Sequence, residues 1–173
     1  MKTRKILSLI SALVFALAAP ASLAEGLALT DMAGREITLD APATRVIALN
    51  PADCEILYAL GAEDVLVGRG EYCNYPEAVL ELPSVNSGAE TNIEQILALE
   101  PDVIVMSKMA QTVEQVEALE AAGVRVVISD AQNLAGVYDA IAMLGELTGK
   151  QEEAAALSSQ MQEGFDALRE KAE

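Results

Sequence analysis

The run Val103-Ile104-Val105-Met106 most constrains how this chain folds. Four consecutive apolar residues with no polar alternation suit a strand covered on both faces, which is the environment of a parallel sheet. The residues before it reinforce that reading. Thr91 and Glu94 have the S/T-x-x-E spacing of a capping box at a helix start, and Ile93, Ile96, Leu97 and Leu99 give that helix an apolar side. Pro101 ends it, because the residue before a proline is pushed out of the α region. The stretch from Thr91 to Ser107 is therefore a short helix, a Pro-Asp corner and a buried strand.

The same grammar recurs along the chain. Leu27–Thr30 and Glu36–Leu39 form a small hairpin turned at Ala33-Gly34. Arg45–Leu49 is the first core strand and runs into Asn50, a good N-cap, with Pro51 at the first helical position. That helix reaches Leu60 and stops at Gly61. Val65–Gly68 is the second strand, which makes this first unit βαβ. A non-periodic segment, Arg69–Pro76, follows it, then a short helical piece over Pro76–Leu80, a brief strand at Pro83–Val85 and a polar loop over Asn86–Glu90. Beyond the opening stretch come a helix over Gln111–Ala122, a strand over Arg125–Ser129, and a helix over Leu134–Leu147 capped by Asn133 and ended by Gly149. Strands and helices that alternate with short connections predict an α/β fold, an open parallel sheet with helices on both faces.

Both ends of the chain read differently. Lys2, Arg4 and Lys5 precede an apolar run from Ile6 to Ala19, and Ser22-Leu23-Ala24 supplies small residues at a cleavage position. Residues 1–24 are read as a secretory signal peptide, since the run is shorter than the ~20 residues a bilayer needs. No lipid-attachment cysteine follows, so the expectation is a free exported protein with no membrane insertion after cleavage. Residues 25–149 form the lobe. From Lys150 to Glu173, Leu157, Met161, Phe165, Leu168 and Ala172 make one stripe of a long helix. The pattern is still running at Glu173, which leads to the expectation of a fragment or of a second domain beyond it.

Charge and residue types narrow the chemistry. The formal charge is −16, and three of the eleven basic residues lie in the signal segment, which leaves 8 basic against 27 acidic residues, or −19. Nucleic acid is excluded as a partner, because its phosphates require Lys and Arg. There is no histidine, so the commonest zinc ligand and the usual general base are missing from this chain; no metal site or cofactor is read. Gly68-Arg69-Gly70 lacks the third glycine of a dinucleotide fingerprint and follows the wrong strand. Asp53 and Glu55 sit in a first helical turn, where carboxylates favour the helix dipole. The two cysteines, Cys54 and Cys73, leave bonded and free forms both open. The residues point to a binding module rather than an enzyme, with no catalytic residue assigned. A hydrolase on the same sheet is disfavoured by the missing histidine. In open α/β sheets ligands bind beyond the carboxyl ends of the strands, which makes Asn50, Asp53, Tyr72, Cys73 and Ser107 the candidate contacts.

The motifs R-V-I-x-L-x-P, Y-x-x-Y-P, N-I-E-x-I-x-x-L-x-P-D-x-I and A-G-V-x-V, in this order, resemble the N-terminal lobe of the periplasmic substrate-binding proteins for cobalamin, ferric siderophores and haem that serve ABC importers. The resemblance covers nearly all of the chain after residue 24. It implies a monomeric, periplasmic binding protein with two Rossmann-like lobes joined by a long helix, with the ligand between them. The helix from Lys150 then corresponds to the inter-lobe connector, and the second lobe is absent from this sequence. Tyr72 matches an aromatic position that contacts ligand in the cobalamin binders, and in some haem-binding relatives a tyrosine ligates the iron. Tyr75, ahead of Pro76, is read as structural. Glu94 matches the glutamate offered to arginines of the membrane permease. Cobalamin binders also carry a tryptophan in the loop before that glutamate, whereas this chain has none, which weakens a cobalamin assignment. The resemblance leaves an iron-siderophore, haem or corrinoid as ligand and an ABC importer permease as partner. A ligand-sensing or interaction domain built on the same lobe is the alternative.

Overall fold

The computed structural model describes residues 26–88, 91–108 and 112–172. The expected signal peptide lies outside the described residues. So does Gln111, the expected start of the third helix.

The hairpin forms where the sequence places it, with β1 at Leu27–Thr30 and β2 at Glu36–Leu39, paired antiparallel. Five further strands build one parallel sheet: β3 (Val46–Ala48), β4 (Leu66–Gly70), β5 (Ser84–Val85), β6 (Val103–Met106) and β7 (Arg125–Ile128). Their order across the sheet is β5-β4-β3-β6-β7, every pair parallel. The chain winds outward from β3 through β4 to β5, then returns to lay β6 against the other side of β3. That reversal is the topological switch point at which such sheets bind ligands.

Helices cover both faces. Val46, Ala48, Val103, Val105 and Val127 point to α1 (Pro51–Ala59), α4 (Leu134–Thr148) and α5 (Gln151–Ala172). Ile47, Leu49, Ile104, Met106, Val126 and Ile128 point to α2 (Ile93–Ala98) and α3 (Val113–Ala121). All four residues of β6 are fully buried, as a strand wetted on neither face requires. Asp31 fastens the hairpin to the last strand: its carboxylate accepts from the amides of Ala33, Arg35 and Ile128 and pairs with the Arg35 guanidinium. The early part of α5 packs on α4, and residues 162–172 are exposed. No helix among the described residues is long and apolar enough to cross a membrane.

Several local expectations need correction. Thr91 does not cap α2. Asn92 does, accepting from the Gln95 amide at 3.1 Å, while the Thr91 hydroxyl donates to the Gly88 carbonyl at 2.6 Å. Asparagine outranks threonine as an N-cap, so the helix starts one residue later than the Thr91–Glu94 spacing suggests. The capping box that does form joins Thr112 and Gln115 at the start of α3. Val65 closes a single 3-10 turn, and β4 continues through Arg69 and Gly70, residues the sequence assigns to a loop. The Pro-Asp corner has a specific use. Asp102 accepts from the Thr44 hydroxyl and the Thr44 and Arg45 amides, and the Arg45 guanidinium caps the carbonyls of Leu99 and Glu100 at the end of α2.

Candidate ligand-binding site

The carboxyl ends of β3, β4 and β6 set out the candidate site. β3 ends against Asn50, the N-cap of α1, whose side-chain oxygen turns back to the Ala52 amide. Ser107 follows directly on β6, and two residues past β4 the chain presents Tyr72, 69% exposed. Leu49, Asn50, Pro51, Tyr72, Ser87, Gly88 and Ser107 line a hollow of about 150 Å³ at the switch point. Three of the five residues chosen from the sequence are thus brought together. Ser87 and Gly88 were missed although the sequence shows the brief strand and the polar loop after it; only the pairing of β5 with β4 puts that loop on the same rim.

A larger hollow of about 420 Å³ adjoins the first and shares Asn50 with it. It runs between α1, α4 and α5 and is lined chiefly by apolar side chains, among them Ile56, Val137, Ile141, Leu157 and Met161. Asp53, Ser129 and Tyr75 line it as well, and Tyr75 is 66% exposed at the surface. Asp53 therefore belongs to this second hollow. It is only 1% exposed. The Ser129 hydroxyl donates to its Oδ1 at 2.6 Å, and its Oδ2 has no hydrogen-bond partner. Burial pushes the Asp53 carboxyl up to about 7, with the Ser129 hydrogen bond and then the Asn50 side chain pulling partly back. Helix-dipole stabilisation, which the sequence suggests for this residue, is outweighed by desolvation.

Cys73 does not reach either hollow. It is fully buried and turned inward, toward the Ala48 carbonyl. Glu94 sits in the first turn of α2, exposed to solvent. Among the described residues no group of three or more histidine, cysteine, aspartate or glutamate side chains is placed to hold a metal ion.

A parallel sheet with an aromatic residue and polar loop ends gathered at its switch point defines an α/β lobe with a candidate ligand site. The chain belongs to the periplasmic binding protein family, whose model matches residues 46–173. It is 30% identical over 145 residues to the uncharacterized ABC transporter substrate-binding lipoprotein YvrC of Bacillus subtilis, covering 82% of this chain and 46% of that one. Among solved structures it is similar to the periplasmic vitamin B12 binding protein BtuF of Vibrio cholerae, with 32% identity and a TM-score of 0.68 over 75% of this chain and 51% of that one. It is also similar to a periplasmic heme binding protein from Pseudomonas aeruginosa, with 29% identity and a TM-score of 0.67 over 70% of this chain and 44% of that one. The chain spans about half the length of these relatives. They are substrate-binding proteins rather than enzymes.

Proposed function

We propose that this lobe supplies one wall of the ligand cleft in an exported substrate-binding component of an ABC importer. The ligand is a corrinoid, a haem or a ferric siderophore. The observation that carries the reading is Tyr72, exposed over a hollow that Asn50 and Ser107 also line at the switch point. A ring with a broad apolar face and a polar tip suits a flat macrocycle or a catecholate. The hollow's size supports a shared cleft, since about 150 Å³ is below the ~300–1,000 Å³ of a complete ligand pocket. A second lobe reached through α5 completes it in this reading.

The test titrates the whole protein with haem, cobinamide and ferric siderophores and follows absorbance and intrinsic tyrosine fluorescence. One class binds, and Tyr72→Ala weakens it about tenfold, the worth of one aromatic contact. Tyr72→Phe then separates two chemistries. Full affinity in the phenylalanine variant means face contact, and a loss equal to that of alanine means the phenolate oxygen ligates iron. No response to any of the three ligand classes defeats the reading.

In the same reading Glu94 meets a basic residue of the permease. Glu94→Gln leaves Tm nearly unchanged, because the N-cap of α2 is Asn92 and the Glu94 side chain is exposed. Transport falls several-fold while ligand affinity stays constant. Normal transport by this variant removes Glu94 from the docking face.

A further inference from the structure

Cys54 and Cys73 meet beneath the loop that carries Tyr72. Cys54 lies in the first turn of α1, Cys73 three residues past the end of β4, and both are fully buried. The Cys54 Sγ is 3.6 Å from the Ala48 carbonyl oxygen, and the Cys73 Sγ is 3.7 Å from the same oxygen. Both are free thiols that share this one acceptor, which brings the two side chains together. Their mutual interaction pushes the Cys54 thiol up and draws Cys73 below the ordinary thiol range, and the Gly70 backbone and the Arg69 guanidinium draw Cys73 the same way.

We infer that Cys54 and Cys73 form a disulfide in the exported protein, one that staples the start of α1 to the Glu71–Pro76 loop. The two cysteines of this sequence lie 19 positions apart, yet the fold sets both on the Ala48 carbonyl. Metal ligation does not explain the pair, since the chain has no histidine and no metal-holding cluster occurs among the described residues. The bridge also has a use at this position. The loop is held by few backbone hydrogen bonds, chiefly Glu71 to Val85 and Cys73 to Gly70, and by the Arg69 guanidinium on the carbonyls of Gly70 and Cys73. A covalent tie at Cys73 limits the travel of Tyr72, its neighbour in the chain.

The oxidant is a disulfide donor of the export compartment, protein or small molecule. Before the loop closes, the Cys73 thiolate attacks a donor sulfur, forms a mixed disulfide and releases one donor thiolate. Cys54 then loses its proton and attacks the Cys73 sulfur, releasing the second donor thiolate. Two protein thiols are oxidised and one donor disulfide is reduced to two thiols.

The full chain, produced by export and purified without reductant, is denatured and treated with N-ethylmaleimide. The expected result is no adduct before reduction, two adducts after it, and an intact mass about 2 Da below the dithiol form, the two hydrogens lost on oxidation. A proteolytic map joins the peptides containing Cys54 and Cys73. Two adducts without reductant, both in the exported protein and after equilibration with oxidised glutathione, overturn the inference. As a second readout, reductant lowers the wild-type Tm by about 5–10 °C, as expected for a cross-link closing a loop of this length. The Tm of the double variant Cys54→Ser/Cys73→Ser is insensitive to reductant. A wild-type Tm that stays fixed while the thiols become reactive overturns the stapling role.

Discussion

Asp53→Asn is expected to stabilise the protein at pH 8 by about 3–4 kcal/mol and to leave it unchanged near pH 4. Burial raises the Asp53 carboxyl from 3.8 to about 7 in the folded protein. Below about pH 3.8 the folded and unfolded chains both hold this proton, and the carboxyl has no charge to desolvate. Between about 4 and 7 the unfolded chain has released the proton and the native state keeps it, so stability falls as pH rises. Above about 7 the native state carries a buried anion whose Oδ2 has no partner, and the loss is complete. Each unit of difference is worth ~1.36 kcal/mol, and the residue is 1% exposed, so solvent screening does little to reduce it. Asparagine keeps the oxygen that accepts from Ser129 and never ionises. Urea unfolding of both proteins from pH 4 to pH 8 measures the effect. Parallel stability curves across that range would show that Asp53 ionises freely in the fold.

That prediction depends on what the sequence could and could not reveal. The elements were legible because they rest on local chemistry. The hairpin limits, the Asn50 and Asn133 caps and the left-handed stop at Gly149 are set by nearest neighbours. The carboxyl end of the sheet was legible one level up, from alternating strands and helices, and that reasoning picked Asn50, Tyr72 and Ser107, which line one hollow; the strand order that makes this the switch point was not legible. What depends on long-range packing was not legible. Asp53 and Glu55 look alike as first-turn carboxylates, yet Asp53 faces Ser129, 76 residues away, while Glu55 is exposed. Cys73 follows Tyr72 in the chain, but the turn after β4 sends one side chain out and the other into the core. Thr91 and Asn92 competed for one cap, and a spacing rule cannot rank the two without their backbone geometry.

Gly70→Ala is expected to destabilise the fold by about 3 kcal/mol or more, and to cost more ligand affinity than Tyr72→Ala. In the sequence, Gly68-Arg69-Gly70 is a partial dinucleotide fingerprint that lacks its third glycine. The structure gives Gly70 a different reason. It is the last residue of β4, and a Cβ there would overlap the Leu49 carbonyl group and approach the Leu49 Cα. These are backbone atoms next to β3, so no side-chain rotation relieves the contact, and overpacking of this kind costs roughly 1–3 kcal/mol even where side chains give way. Relief requires parting β4 from the chain at Leu49 and Asn50, two residues that line the smaller hollow, while Tyr72 follows two residues behind. Gly164→Ala supplies the contrast. Gly164 lies in the exposed part of α5 with open space around its Cβ position, so the same substitution should stabilise by about 0.5–1 kcal/mol through backbone entropy alone. Denaturant midpoints and ligand titrations on the two variants provide the measurement. Equal, small shifts of the same sign would mean that β4 and β3 do not approach each other as closely as this geometry requires.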